Sequence, residues 1–334
     1  MKKEEDRPNQ REKRTQRDYT LGFKLGIVML VEKGDMPYKY FLLRIINYAV
    51  IFSPMKNLRN ENQKYDAWLH WDATKRCNLD CEYCFGKITD TSIKVHSIKI
   101  EKLIQTLNKT KKTFRVSFTG GEPTLIPNFV EACQAITEKH YISFNSNLIS
   151  KTINQFAEKI DPNRVLHVHG SFHYDELLDK NLLERFTESF TLLKTSGFNI
   201  YAEAVAYPKM KNKLDAITKF ANENFSNLTF APFYGEYNGY TYPESYSKEE
   251  LELFGISQND LSNFMQKGEL CNAGNNVAVV FSNGNVYPCH QIKTKIGNIY
   301  EGIDFSNELV KCPSKKCGCP LNKYDEYLFE KIVK

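Results

Sequence analysis

Strand-like runs alternate with helical stretches between residues 66 and 235, and that rhythm limits the fold more than any other feature of the chain. The runs are AWLHWDAT, TFRVSFT, YISFNS, RVLHVHGSFH, FNIYAEAVAY and NLTFAPFY, with helical stretches near 97–109, 127–139, 150–160, 175–195 and 211–224. A helix between consecutive strands carries the chain back to the same end of the sheet, so the strands pair in parallel through right-handed crossovers. A doubly wound sheet, covered on both faces, would make its central strands continuously apolar. These strands alternate instead. In the fourth run His167, His169, Ser171 and His173 share one face, and Leu166, Val168 and Phe172 the other. Arg115, Ser117 and Thr119 oppose Phe114, Val116 and Phe118; His70 goes with Asp72, Ser143 with Asn145 and Asn147, and Glu203 with Tyr207. An apolar face under helices and a polar face opposite predict an α/β fold, a partial (β/α)6 TIM-like barrel with a wet lumen. A complete eight-stranded barrel fills its interior with Val, Ile and Leu.

The rest of the chain is organised around this unit, residues 65–235. At 334 residues the chain exceeds the ~250–300 at which single cores stop growing, so a second unit is expected. Residues 1–64 form an extension that is basic: residues 1–60 hold thirteen Lys/Arg against seven Asp/Glu, a surplus of six, and the total of +5 leaves the remainder near −1. A basic body for nucleic acid is absent, and no nucleic-acid partner is expected. YKYFLLRIINYAVIFSP, residues 38–54, reads as a helix apolar on nearly every side. It is shorter than the ~20 residues of a membrane span, and Arg44 interrupts it. It packs on the main body or, aided by Lys39, Arg44, Lys56 and Arg59, makes peripheral membrane contact through residues 38–60. A Tyr/Gly-rich linker with a helical stretch fills 236–270. Residues 271–334 make a small α+β extension.

Eight of the nine cysteines fall in two groups. The first twenty residues are charged in both signs and lack the apolar core of a signal peptide, so a reducing cytoplasm is the expected compartment. Clustered thiols there are metal ligands rather than disulfides. Cys133, in FVEACQAI, has apolar neighbours and reads as core. Cys77, Cys81 and Cys84 follow the first strand at its carboxyl end, where α/β barrels place their active sites. Three thiolates on one loop can take three corners of a cubane cluster and leave one iron open. A structural zinc wants a fourth ligand nearby, and the loop has none.

Cys-x3-Cys-x-aromatic-Cys, with Tyr83 as the aromatic, together with TGGEP at 119–123 closing the second strand, resembles the radical S-adenosylmethionine (radical SAM) superfamily. The resemblance implies a [4Fe–4S] cluster on Cys77, Cys81 and Cys84 whose open iron chelates SAM, fed by a flavodoxin- or ferredoxin-type reductant. Reductive cleavage then yields a 5′-deoxyadenosyl radical that abstracts hydrogen from a substrate carbon. It also implies roles for Gly120 and Gly121 in close backbone approach to the SAM amino group, for Glu122 and Pro123 as the motif carboxylate and turn, and for Tyr83 beside the adenine. Asn145 and Asn147 are candidates for ribose contacts or, equally, turn caps. Where the family often has Ser-x-Asp, this chain has Ser171-Phe172-His173. His167, His169 and His173 could bind a metal, hydrogen-bond substrate or cofactor, or be satisfied structural groups, and Glu203 on the next strand is a candidate catalytic or substrate-contacting residue.

In the second group, VAVVFSNGNVYPC reads as a hairpin turning at Asn283-Gly284, which returns Cys289 toward Cys271. Cys312, Cys317 and Cys319 follow in a Pro/Gly-constrained loop. A zinc knuckle is one reading. The spacing C271-x12-G284-x4-C289 and the Cys-rich tail resemble the SPASM/twitch extensions, implying an auxiliary [4Fe–4S] cluster with one of the five thiols spare. The resemblance as a whole implies an oxidoreductase or maturase-type enzyme that oxidises, epimerises or cross-links a sugar, small molecule or peptide. Residues 1–64 lack the strand pattern of a leader-binding winged helix, which weighs against a peptide. A non-catalytic iron–sulfur carrier or sensor, and a zinc-binding nucleic-acid module, are the competing classes.

Overall fold

The computed structural model describes residues 65–85, 93–225, 228–257, 261 and 267–315. The extension 1–64 lies outside these residues, and so do the helix predicted at 38–54, the membrane contact predicted through 38–60, Cys317 and Cys319. Among the described residues no helix is long and apolar enough to cross a membrane.

The six predicted strands form: β1 (Ala67–Thr74), β2 (Phe114–Gly120), β3 (Tyr141–Ser146), β4 (Val165–Ser171), β5 (Ile200–Ala206) and β6 (Leu228–Pro232). They pair in parallel in that order. Between them lie α1 (Ile100–Lys109), α2 (Phe129–Thr137), α3 (Thr152–Lys159), α4 (Tyr174–Asp179), α5 (Leu183–Thr195) and α6 (Leu214–Asn224). The helical stretch expected at 175–195 is broken into α4 and α5, and Asn181 in the break takes a left-handed conformation, φ 55°. The architecture is a partial TIM-type barrel.

The helix-covered face holds the core. Phe118, Phe129, Phe144 and Phe156 are fully buried and meet in series at ring separations of 5.3, 5.5 and 4.9 Å. Burial of each such side chain stabilises the fold by about 1.5–3 kcal/mol. Val168 and Phe172 join this core, but Leu166 does not. The pairing of β3 with β4 slips between Ile142 and Ser143, and Leu166 packs in a second cluster with Tyr65, Trp68, Val277 and Val279. The lumen therefore has an apolar patch on its floor beside its polar residues.

Beyond β6 come a hairpin, β7 (Gly235–Tyr237) and β8 (Tyr240–Tyr242), and α7 (Lys248–Phe254). Ser247 and Glu250 cap α7 reciprocally. The cysteine-rich segment contains β9 (Leu270–Cys271), β10 (Val277–Val280), β11 (Asn285–Tyr287), β12 (Gly297–Asn298), β13 (Gly302–Ile303) and β14 (Val310–Lys311). The expected hairpin is β10–β11. It is not a separate layer: β10 runs parallel to β1, register Trp68↔Val277 and His70↔Val279, and the sheet continues through β13. All four residues of β10 are buried, so the barrel edge at β1 is covered.

Candidate active site

The loop after β1 is fixed at its root by backbone hydrogen bonds to the glycine motif. Gly121 N donates to Thr74 O (2.7 Å), and Glu122 N donates to Arg76 O (2.8 Å). A Cβ on Gly121 would lie 2.1 Å from Arg76 O, so only glycine permits this approach. Glu122 is 1% exposed and uses both oxygens. Oε1 accepts from Thr124 N, Thr124 Oγ1 (2.6 Å) and Ser146 Oγ (2.9 Å); Oε2 accepts from Asn147 N (2.8 Å). Burial raises its pKa, and these four donors offset only part of that rise. Asn147 then reaches the cysteine loop, donating from Nδ2 to Asn78 Oδ1 at 2.7 Å, with Cys77 Sγ at 3.9 Å. Pro123 opens a short 3-10 turn that Glu122 caps. Gly120, at φ +112°, closes β2 against Thr74. Asn145 pairs with His169 across β3 and β4 on the lumen face.

The loop is tied down across the barrel mouth as well. Tyr83 Oη is 2.9 Å from His173 Nδ1, and its ring lies 5.3 Å from that of Tyr207. Tyr207 Oη and Lys209 Nζ both donate to the Glu82 carboxylate, at 3.0 and 2.6 Å. Glu176 accepts from Asp80 N at 3.0 Å. These anchors, Asn78, Glu82, Glu176 and Lys209, escaped the sequence analysis because nothing local marks a contact made across the barrel. His173 lies beyond the strand at the start of α4, where it positions Tyr83. Burial, then His169, lowers its pKa to about 4, so it is neutral.

The three loop thiols are half-buried. Burial pushes Cys77 up to about 11, with Glu122 and Cys84 adding to the effect, and Cys81 is raised likewise by burial, Glu176 and the neighbouring thiols. Such groups ionise when a metal takes the proton's place. Three thiols on one loop with no fourth ligand beside them on that loop fit a cluster with one open iron better than a closed structural zinc site.

Deeper in the lumen, Arg115 stacks over Trp68 (4.3 Å to the ring centroid) and donates from Nε to Ser117 and Ser143. Its Nη2 lies 3.4 Å from His167 Nε2. His169 stacks on Tyr201 at 4.9 Å, and its Nε2 is 3.4 Å from Glu203 Oε2. The structure thus brings His167, His169 and Glu203 to one polar wall and leaves His173 to the loop.

Residues 71–221 match the model of the Radical SAM superfamily. That segment is a radical SAM enzyme domain, and the cofactors of that family are a [4Fe–4S] cluster and SAM. A cysteine-type anaerobic sulfatase-maturating enzyme of Clostridium perfringens is 26% identical over 284 residues, covering 69% of this chain and 76% of its own. The 7-carboxy-7-deazaguanine synthase of Clostridium acetobutylicum is 24% identical over 160 residues, 48% of this chain and 70% of its own. The fold is shared with native anSMEcpe solved with bound AdoMet: TM-score 0.51, 23% identity, 70% of this chain and 77% of that one. The same relative has also been solved with AdoMet and the Cp18Cys peptide, at TM-score 0.50 and 20% identity, covering 70% of this chain and 77% of that one.

Outside the radical SAM domain, the structure brings two of the remaining thiols, Cys271 and Cys312, onto one short ladder. β9 and β14 pair antiparallel, Cys271 opposite Val310. Cys312 continues that ladder through Cys312 N to Glu269 O at 2.9 Å. Cys271 and Cys312 are therefore diagonal neighbours on one face, about 7–8 Å apart at the backbone. Cys289 follows β11, where Pro288 packs on Gly274: a Cβ there would sit 3.2 Å from the proline ring, and the glycine holds φ +81°. Cys133 is fully buried in α2.

Proposed function

We propose that this enzyme modifies a peptide or protein side chain, with Cys77, Cys81 and Cys84 holding the [4Fe–4S] cluster at which SAM binds. One observation carries the reading: three half-buried thiols sit on a loop bolted to the Gly-Gly-Glu-Pro turn and to Asn147 at the barrel mouth. When bound, the cluster and SAM supply reductive cleavage to a 5′-deoxyadenosyl radical, which takes a hydrogen atom from a substrate carbon. The chain's part is to hold and exclude. Gly121 and Glu122 set the loop root, Tyr83 offers a ring for the adenine, and Asn145 and Asn147 offer amides for the ribose. Oxidation of a C–H bond also releases a proton, and Glu203, 22% exposed with His169 Nε2 behind it at 3.4 Å, would accept it.

Cys271, Cys289 and Cys312, with one of Cys317 and Cys319, would hold an auxiliary [4Fe–4S] cluster of SPASM/twitch type, which would accept the substrate electron or position the substrate. The peptide reading rests on the sulfatase-maturating relative, matched over 69% of this chain. It outweighs the argument drawn from residues 1–64, since a separate leader-binding domain is one way to bring a peptide and not the only one. The test is anaerobic: reconstituted protein with dithionite and SAM should yield 5′-deoxyadenosine and methionine in equal amounts. With a Cys- or Ser-containing peptide pool, a mass change in one peptide should rise with 5′-deoxyadenosine. Methylthioadenosine instead, or no cleavage by iron-loaded protein, contradicts it.

A further inference from the structure

Three groups that neither cysteine set uses converge at the seam between β1 and the β10–β11 hairpin. His70 and Asp72 alternate onto the lumen face of β1, and His290 follows Cys289 beyond β11. His70 Nε2 is 3.7 Å from Asp72 Oδ1, and His290 Nδ1 is 3.8 Å from Asp72 Oδ2. One ligand atom from each lies within 4.8 Å of the other two. The two imidazoles meet edge to face at 5.8 Å and 81°.

These separations are too long for hydrogen bonds. An ion would draw them closer: ligands at about 2.0–2.2 Å from a tetrahedral centre stand roughly 3.3–3.6 Å apart, so three atoms already within 4.8 Å of one another need close by no more than about 1.5 Å. The three side chains are 14, 28 and 31% exposed, so an ion can reach them. His290 also lines a cavity of about 370 Å³ with Lys75, Phe281, Tyr287 and Cys289.

We propose that His70, Asp72 and His290 bind one divalent transition-metal ion, separate from the thiol sites, whose remaining coordination positions face this cavity. Two imidazoles and a carboxylate suit zinc or ferrous iron better than magnesium or calcium. Three protein ligands leave at least one position open, as a closed structural site does not. The site does not depend on the cluster assignments, because none of its ligands is a cysteine.

Equilibrium dialysis of full-length, iron-reconstituted protein against zinc sulfate, with zinc and iron both counted, tests the site. Wild type should retain about one zinc per chain more than Asp72→Asn or the His70→Gln/His290→Gln pair. Zinc affinity should fall by more than the 10–100-fold that loss of an outer partner costs, with iron content and circular dichroism unchanged. Reading the difference between proteins removes zinc held by vacant thiols, which all of them share. If His290→Gln lowers iron through its neighbour Cys289, Asp72→Asn on β1 decides alone. Equal zinc in wild type and variants, or none in wild type, would overturn the site and leave a polar triad. SAM cleavage in the same samples reports separately on the thiol cluster.

Discussion

Cys77, Cys81 and Cys84 leave an eight-residue strand whose outer face is buried under α-helices, whereas Cys271, Cys289 and Cys312 adjoin strands of two or three residues. The first loop is held by Glu122, Asn147, His173, Glu176, Tyr207 and Lys209, which follow the ends of β2, β3, β4 and β5. The second set is held by a two-residue ladder and one proline packed on one glycine. At the barrel mouth the fold itself supplies the site's geometry. In the cysteine-rich segment a metal, if these thiols bind one as proposed, would have to supply part of the order, as it does in small metal-dependent domains.

Substitutions at the two glycine contacts and a pH titration break or sharpen this contrast. Gly121→Ala drives a Cβ to 2.1 Å from a backbone oxygen, which no side-chain adjustment relieves. It should cost more than about 4 kcal/mol and abolish iron loading at the barrel mouth, read by thermal unfolding and iron content. The barrel should also carry its own acid limit. His140 is 3% exposed, and its Nδ1 accepts the Phe114 N–H at 3.2 Å. Burial, followed by Lys139 and Arg164, lowers its pKa from 6.5 to about 4. Because the folded value is depressed, the unfolded chain takes up the proton first. Stability is then full above pH 6.5 and falls as pH drops toward 4, by at most about 3 kcal/mol. His140→Gln should flatten that limb in denaturant titrations and leave both cysteine sets untouched. Gly274→Ala is the mildest: φ +81° and a 3.2 Å contact with Pro288 predict about 1 kcal/mol. Its signature is selective, with iron lost from the auxiliary site while SAM cleavage continues.

Much of this was legible in the chain. AWLHWDAT and YISFNS became β1 and β3 without a shifted boundary, because period-2 alternation is a strong signal where one face is buried and the other polar. The cysteine spacing and the Gly-Gly-Glu-Pro turn were read on the strands where they lie. β10 was foreseen as half of a hairpin but not as the parallel neighbour of β1. VAVV is buried on both faces, so its pattern carries no direction. Leu166 was assigned to the wrong cluster because a slip in pairing leaves no mark in composition. Glu82, Glu176 and the meeting of His290 with Asp72 depend on tertiary closure, and residue spacing does not encode that.

The account's central claim is that the two thiol sets have different duties. The direct measurement is 5′-deoxyadenosine release under dithionite from folded Cys84→Ala and Cys271→Ala/Cys289→Ala proteins, beside iron counts. The account predicts that Cys84→Ala makes none. The double variant should cleave SAM near the wild-type rate with about half of the roughly eight irons expected for two clusters, and fail only at substrate. Cleavage by Cys84→Ala, or substrate turnover at the normal rate by the folded double variant, would contradict it.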